Sequence, residues 1–218
     1  MRTLSHTEAR RVYDFVGRKL DSQAFYEDRA ADELIRFGDF SSAQSVFEFG
    51  CGTGRFAARL LADHLAEKTT YRAVDLSSTM VGVARERLAP FGQRVEIVLA
   101  EGEPMLDQPS ESCDRFVCTF VLDLLSEADI RSVLREAHRI LCLSGLLCLA
   151  SLSTGSTSTS RFVARVWSGI HRLRPALVAG CRPIELAPFL SESQWRIAHH
   201  GRLAPFGLPS EAIVAERC

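Results

Sequence analysis

The run Ser45-Val46-Phe47-Glu48-Phe49-Gly50-Cys51-Gly52-Thr53-Gly54-Arg55-Phe56-Ala57-Ala58-Arg59-Leu60-Leu61 decides the fold. It starts as a short apolar, β-prone segment, passes through three glycines and leaves as a helical pattern. Apolar residues at 56, 57, 60 and 61 fall on one helix face. Glycine suits such a turn because a Cβ would keep a ligand off the backbone and would resist positive φ. The following helix points free N–H groups and its positive end back at the loop. The combination predicts a nucleotide-sized cradle at the carboxyl end of a strand, where open α/β sheets bind ligands.

The spacing narrows the choice of nucleotide. A dinucleotide fingerprint reads G-x-G-x-x-G. Here the glycines fall as G-x-G-x-G, and Arg55 stands where the third glycine would be. With Glu48 two residues before Gly50, the stretch resembles motif I of the class I S-adenosylmethionine (SAM)-dependent methyltransferases, of the type 11/12-like, small-molecule kind. An acidic residue there suits a ligand carrying an ammonium and a sulfonium and suits a pyrophosphate badly.

Downstream, Thr70–Val74 reads as a second strand ending in Asp75, 21 residues beyond Gly54. A carboxylate at that tip can accept hydrogen bonds from ribose hydroxyls. Ser78 or Thr79 is the expected N-cap of a helix running to about Leu88. Val74–Met80 also resembles the second methyltransferase motif, which implies that Leu76 and Met80 touch the adenine side. Val95–Leu99 is a third strand, closing in Ala100-Glu101-Gly102. The resemblance places Glu101 near the adenine amine, where the family often carries Asp. A loop over residues 103–112 leads to a fourth, central strand, Asp114–Phe120, apolar as a strand buried on both faces should be.

The resemblance sets residues near the end of the fourth strand beside the transferred methyl. Phe120 is expected at the cofactor and Asp123 as orienting group or proton acceptor. The N/D-P-P-Y motif of DNA-base and glutamine N-methyltransferases is absent. Ile130, Val133, Leu134, Ala137 and Leu141 mark a helix over 127–141. Cys142–Gly145 reads as a turn into a fifth strand, with Ser144 replacing the family's proline. Trp195–His200 and Ser210–Glu216 form a closing hairpin.

Two segments flank this frame. Residues 7–37 read as two helices, about 7–20 and 23–37, packed as a cap with Tyr13 available to the cofactor side. Residues 153–184 hold no Asp or Glu but carry Arg161, Arg165, Arg172, Arg174, Arg182 and His171, interleaved with apolar residues. Such an insertion suits an anionic or amphipathic acceptor, a membrane surface, or a lid with solvated arginines.

At 218 residues the chain is long enough for one full α/β core. The expectation is therefore a single domain with a Rossmann-like, seven-stranded, mostly parallel sheet of order 3-2-1-4-5-7-6. Its last strand is antiparallel and helices cover both faces. Residues 1–40 form the cap, 45–152 the SAM-binding core, 153–184 the acceptor-side insertion and 185–218 the hairpin. Lys+Arg 26 against Asp+Glu 27 does not advertise DNA binding. No apolar run has the length of a membrane span and the N-terminus does not read as a signal peptide, so a cytoplasmic location is expected. The seven cysteines and six histidines lack metal-ligand spacing, so no metal site is expected.

The expected activity is transfer of a methyl group from SAM, leaving S-adenosylhomocysteine, to a small-molecule acceptor. Glu48 would balance the methionine ammonium. The loop Gly50, Cys51, Gly52, Thr53 and Gly54 would admit the methionine chain, and Asp75 would bind ribose. Leu76, Met80, Glu101, Gly102 and Phe120 would complete the cofactor site. Asp123, Tyr13, His171 and His199 are candidates for the base. The alternatives are a phospholipid or macromolecular acceptor, a non-catalytic SAM-binding module, and a nicotinamide oxidoreductase.

Overall fold

The computed structural model describes residues 3–102 and 106–218; Met1, Arg2 and residues 103–105 of the expected loop lie outside it. Seven strands form one sheet of order β3-β2-β1-β4-β5-β7-β6. They are β1 (Ser45–Phe49), β2 (Thr70–Asp75), β3 (Val95–Leu99), β4 (Cys113–Thr119), β5 (Leu141–Leu152), β6 (Trp195–Leu203) and β7 (Ser210–Arg217). Strands β1 to β5 run parallel, and β7 is antiparallel to both β5 and β6. The helices are α1 (His6–Val16), α2 (Ala24–Phe37), α3 (Arg55–Asp63), α4 (Ser78–Leu88), α5 (Glu127–Ile140) and α6 (Ser158–Leu173).

Alternation along the strands builds a core on each face. Val46 and Val117 face Leu34, Leu60 and Ala84 from α2, α3 and α4. Their neighbours Phe47 and Phe116 face Ile130, Leu134 and Ile140 of α5. Burying each such side chain contributes roughly 1.5–3 kcal/mol, and this double-sided packing holds the strand ends in place.

Several boundaries differ from expectation for local reasons. The first cap helix stops at Val16 because Gly17 turns to φ +50, and a 3-10 segment over Gly17–Gln23 leads into α2. The N-cap of α4 is Ser77, whose hydroxyl accepts the Met80 N–H at 3.1 Å, rather than Ser78 or Thr79. The expected turn at 142–145 is part of a continuous β5, kinked where Ser144 takes φ +61. Arg115 was an unremarked charge in the β4 sequence. It is buried and satisfied by the carbonyls of Gly38, Asp39 and Asp114 and the Ser42 hydroxyl.

Candidate functional site

The carboxyl ends of β1, β2 and β4 open into one cleft, partly open to solvent and roofed by α1 and the 3-10 segment after it. The glycine loop makes its floor. The Gly50 and Cys51 N–H groups both donate to the Val74 carbonyl, at 2.8 and 3.1 Å, which folds the chain sharply off β1. Gly50 sits at φ +77, and a Cβ there would lie 2.3 Å from Val121 Cγ2. No other residue fits that position without displacing the strand-four side of the cleft.

Asp75 ties the floor to its neighbours. One carboxylate oxygen accepts the Gly52 N–H at 2.8 Å and the other accepts the Ser77 N–H at 2.9 Å. Burial still pushes its carboxyl above the ordinary carboxylate range, against the pull of those N–H donors.

The cap is latched to this floor at three points. Arg10 Nε donates to the Leu76 carbonyl at 3.0 Å. The Ser77 hydroxyl donates to Asp14 at 2.5 Å, and the Thr53 hydroxyl to Asp21 at 2.5 Å. Arg87, from α4, completes the last latch with bonds to Asp21 and Thr53. Burial raises Asp21, but the Arg87 guanidinium and Thr53 hydroxyl together outweigh it and hold the carboxyl below its ordinary value.

The far end of the cleft is walled by Tyr13, Glu27, Phe120 and Cys181. Phe120 holds a left-handed φ of +54, which is costly for an aromatic residue, and its N–H is fixed by the Ala150 carbonyl at 2.8 Å. Tyr13 donates to the Ala179 carbonyl at 3.3 Å; burial, with Cys181 and Asp123 near, pushes its hydroxyl well above 10. Burial lifts Glu27 to about 7 despite the Arg55 guanidinium 3.5 Å away.

Of the residues expected at the site, Gly50, Cys51, Gly52, Thr53, Asp75, Leu76, Gly102, Phe120 and Tyr13 wall the cleft. Gly54 lies behind it, packed against Ala84 at the start of α3. Six others stand outside the wall. Glu48 points beneath β1, where it is 1 % exposed and accepts the Tyr71 hydroxyl, because side chains alternate across the strand. Met80 faces the α4 core and Glu101 faces solvent. His171 is buried on α6 with Nε2 against the Gly180 carbonyl. Asp123 is sealed behind the wall and raised by burial to about 7. One of its oxygens accepts the Leu152 N–H at 3.3 Å and the other has no partner among the described residues. His199 pairs with Glu33 at 2.7 Å and stacks on Phe37.

The sequence alone did not single out Arg10, Asp21 and Glu27 of the cap, nor a cleft position for Arg55 at the start of α3. Polar residues on a cap look like solvated faces until the cap is folded over the cleft; Tyr13 was the one cap residue expected there.

Comparison with known proteins places this geometry. Residues 46–145 match the family model described as a methyltransferase domain. A malonyl-[acyl-carrier protein] O-methyltransferase of Marinomonas sp. (strain MWYL1) is 27% identical over 161 residues, covering 72% of this chain and 55% of that protein. The crystal structure of the [4+2]-cyclase SpnF superposes with a TM-score of 0.75 at 16% identity, over 100% of this chain and 98% of that one. The N-methyltransferase NodS from Bradyrhizobium japonicum WM9, in complex with S-adenosyl-L-homocysteine, gives a TM-score of 0.67 at 17% identity, over 92% and 91%. The chain spans about half the length of the curated relatives it matches.

Proposed function

We propose that the chain, whose residues 46–145 match a methyltransferase-domain model, is a class I, SAM-dependent methyltransferase that transfers a methyl group from SAM to a small-molecule acceptor. The observation that carries this reading is the joint closure of the cleft by the Gly50–Gly54 loop, Asp75 and the latched cap. The residues present fit the cofactor. The loop offers backbone without side chains, Asp75 keeps free lone pairs for a ribose diol, and Leu76 and Gly102 give an apolar wall for a flat base. When bound, SAM supplies a methyl on a sulfonium that is already activated for displacement.

This chain's own part is alignment and proton handling. The backbone at Gly50, Gly52 and Thr53 would hold the amino-acid end, so neutralisation of the ammonium falls to groups other than the buried Glu48. Tyr13, whose hydroxyl proton goes to the Ala179 carbonyl, would offer its oxygen to accept a hydrogen bond from the acceptor's O–H or N–H group. Glu27 faces the cleft with a carboxyl poised near neutrality, which makes it the best-placed proton acceptor for an O–H or N–H nucleophile. Asp123 reaches the cleft only through its neighbours and would act as a positioning residue behind Tyr13 and Cys181.

The relatives favour a small or carrier-bound organic acceptor without naming one. The likeness to a [4+2]-cyclase keeps a second reading open, a cleft that binds without transferring, since fold alone does not fix the reaction. Calorimetric titration with SAM, S-adenosylhomocysteine and NADH, followed by an acceptor panel read by S-adenosylhomocysteine release, tests both. Binding of the sulfur compounds with turnover on any acceptor supports transfer. Binding without turnover across the panel favours the second reading, and binding of NADH alone overturns both.

A further inference from the structure

Helix α6 is packed by less than half of its circumference. Ser160, Ala164 and His171 are its buried residues. On the opposite side Phe162, Val166, Ile170 and Leu173 recur at helical spacing and stand 65, 48, 37 and 84 % exposed. Beside this apolar stripe runs a second one, Arg161, Arg165 and Arg172, also solvent-facing. Among the described residues nine other arginines sit in ion pairs and these three form none. The segment 153–184 offers no carboxylate to receive them.

Phe206 extends the patch. It is 85 % exposed and held at φ +53, a left-handed conformation that no burial of the ring offsets. Its neighbour Gly207 lies against Val163 of α6, and the Phe206 ring meets Phe25 at 5.9 Å.

The pairing of the two stripes selects the occupant. A second copy of this chain would bring arginine stripe against arginine stripe with no acidic group on the segment to compensate. A dissolved polyanion would satisfy the arginines but leave four large apolar side chains in water. An anionic bilayer satisfies both, because headgroup phosphates lie directly above the acyl boundary. We propose that α6, with Phe206, lies in the interfacial plane of an anionic membrane, its apolar stripe in the acyl boundary and its arginines on lipid phosphates. The helix does not span: no helix among the described residues is long and apolar enough to cross a membrane. Its inner face packs behind the cleft wall, where Trp167 Nε1 donates to the carbonyl of Cys181, a lining residue, at 2.9 Å. Docking would therefore set the cleft beside the bilayer surface, whatever reaction the cleft performs.

The test is co-sedimentation of the full chain with phosphatidylcholine vesicles, with and without phosphatidylglycerol. Two surface variants accompany it, Arg161→Gln/Arg165→Gln/Arg172→Gln and Phe162→Ser/Leu173→Ser, with circular dichroism melts to confirm folding. The expected result is binding that requires phosphatidylglycerol. The arginine variant should weaken it about 100-fold, from about fivefold per arginine, and the serine variant at least tenfold. No binding of the unaltered protein to phosphatidylglycerol vesicles overturns the proposal. So does binding that the serine variant leaves intact and RNA or an acidic protein displaces, which would mark a general polyanion site.

Discussion

The Tyr71 hydroxyl donates to Glu48 Oε2 at 2.9 Å, with both side chains buried on one face of the sheet. The acidic residue of the glycine motif is thus a buried group with a protein partner, raised by burial to about 7. Glu48→Gln should leave SAM affinity within about threefold, as calorimetry would read it. Tyr71→Phe should cost about 1–3 kcal/mol of stability by stranding the carboxyl. A loss of affinity beyond tenfold in Glu48→Gln would place that carboxylate in contact with the cofactor.

Asp75 holds the loop and, in the function proposed, would also hold the ribose. Asp75→Ala removes the acceptor for the Gly52 and Ser77 N–H groups as well as the proposed ribose contact, and bonds to a charged group contribute about 1.5–3 kcal/mol. SAM affinity should fall by roughly ten- to 100-fold, with Asp75→Asn in between. Unchanged affinity would remove Asp75 from the cofactor site.

Asp21 joins the cap to the loop through Thr53 and Arg87. Asp21→Ala should open the cap without unfolding the sheet, since the sheet's core is built elsewhere. Limited proteolysis should then cut first between residues 6 and 23, and SAM should protect that stretch less than in the unaltered protein. Equal cleavage rates would show that the other latches suffice.

Glu27 is the residue whose ionisation should govern turnover. Its carboxyl, at about 7, must be deprotonated to accept a proton, so rate should rise with pH to a plateau above neutrality. Glu27→Gln should abolish that limb and lower kcat by about 10²–10⁴-fold, with SAM affinity little changed. A retained limb in the variant would assign it to another group.

Asp123 gives a stability signature of defined sign. Its carboxyl ionises near 7 when folded and near 3.8 when unfolded, so between those values the folded state binds more protons. Its stabilising contribution is complete below the lower value and is lost as pH rises towards 7. Asp123→Asn should therefore raise Tm at pH 8, on the order of a few kcal/mol in stability, with the gain shrinking steadily as pH falls from 7 to 5. A gain that did not shrink would mean that the buried carboxyl is not the source.

Much of this molecule was legible in one dimension. The run from Val46 to Leu61 and Asp75 at its distance announced a strand, a glycine turn and a carboxylate at the tip of the next strand, because strand alternation, helical spacing and glycine geometry are local properties of the chain. The sheet order followed from the resemblance those residues carry. What the chain alone decided was where backbone could be bare and which faces had to be apolar. Tertiary structure decided which polar groups face the cleft. Glu48 and Asp123 read as site carboxylates, yet strand register turned one beneath the sheet and the Val121–Leu125 turn sealed the other behind the wall. Nothing in the sequence set Asp21 and Glu27 apart, yet folding the cap across the strand ends brought them to the cleft. A side chain's environment depends on contacts between segments far apart in sequence, and only packing the cap, the loop and the sheet together sets them.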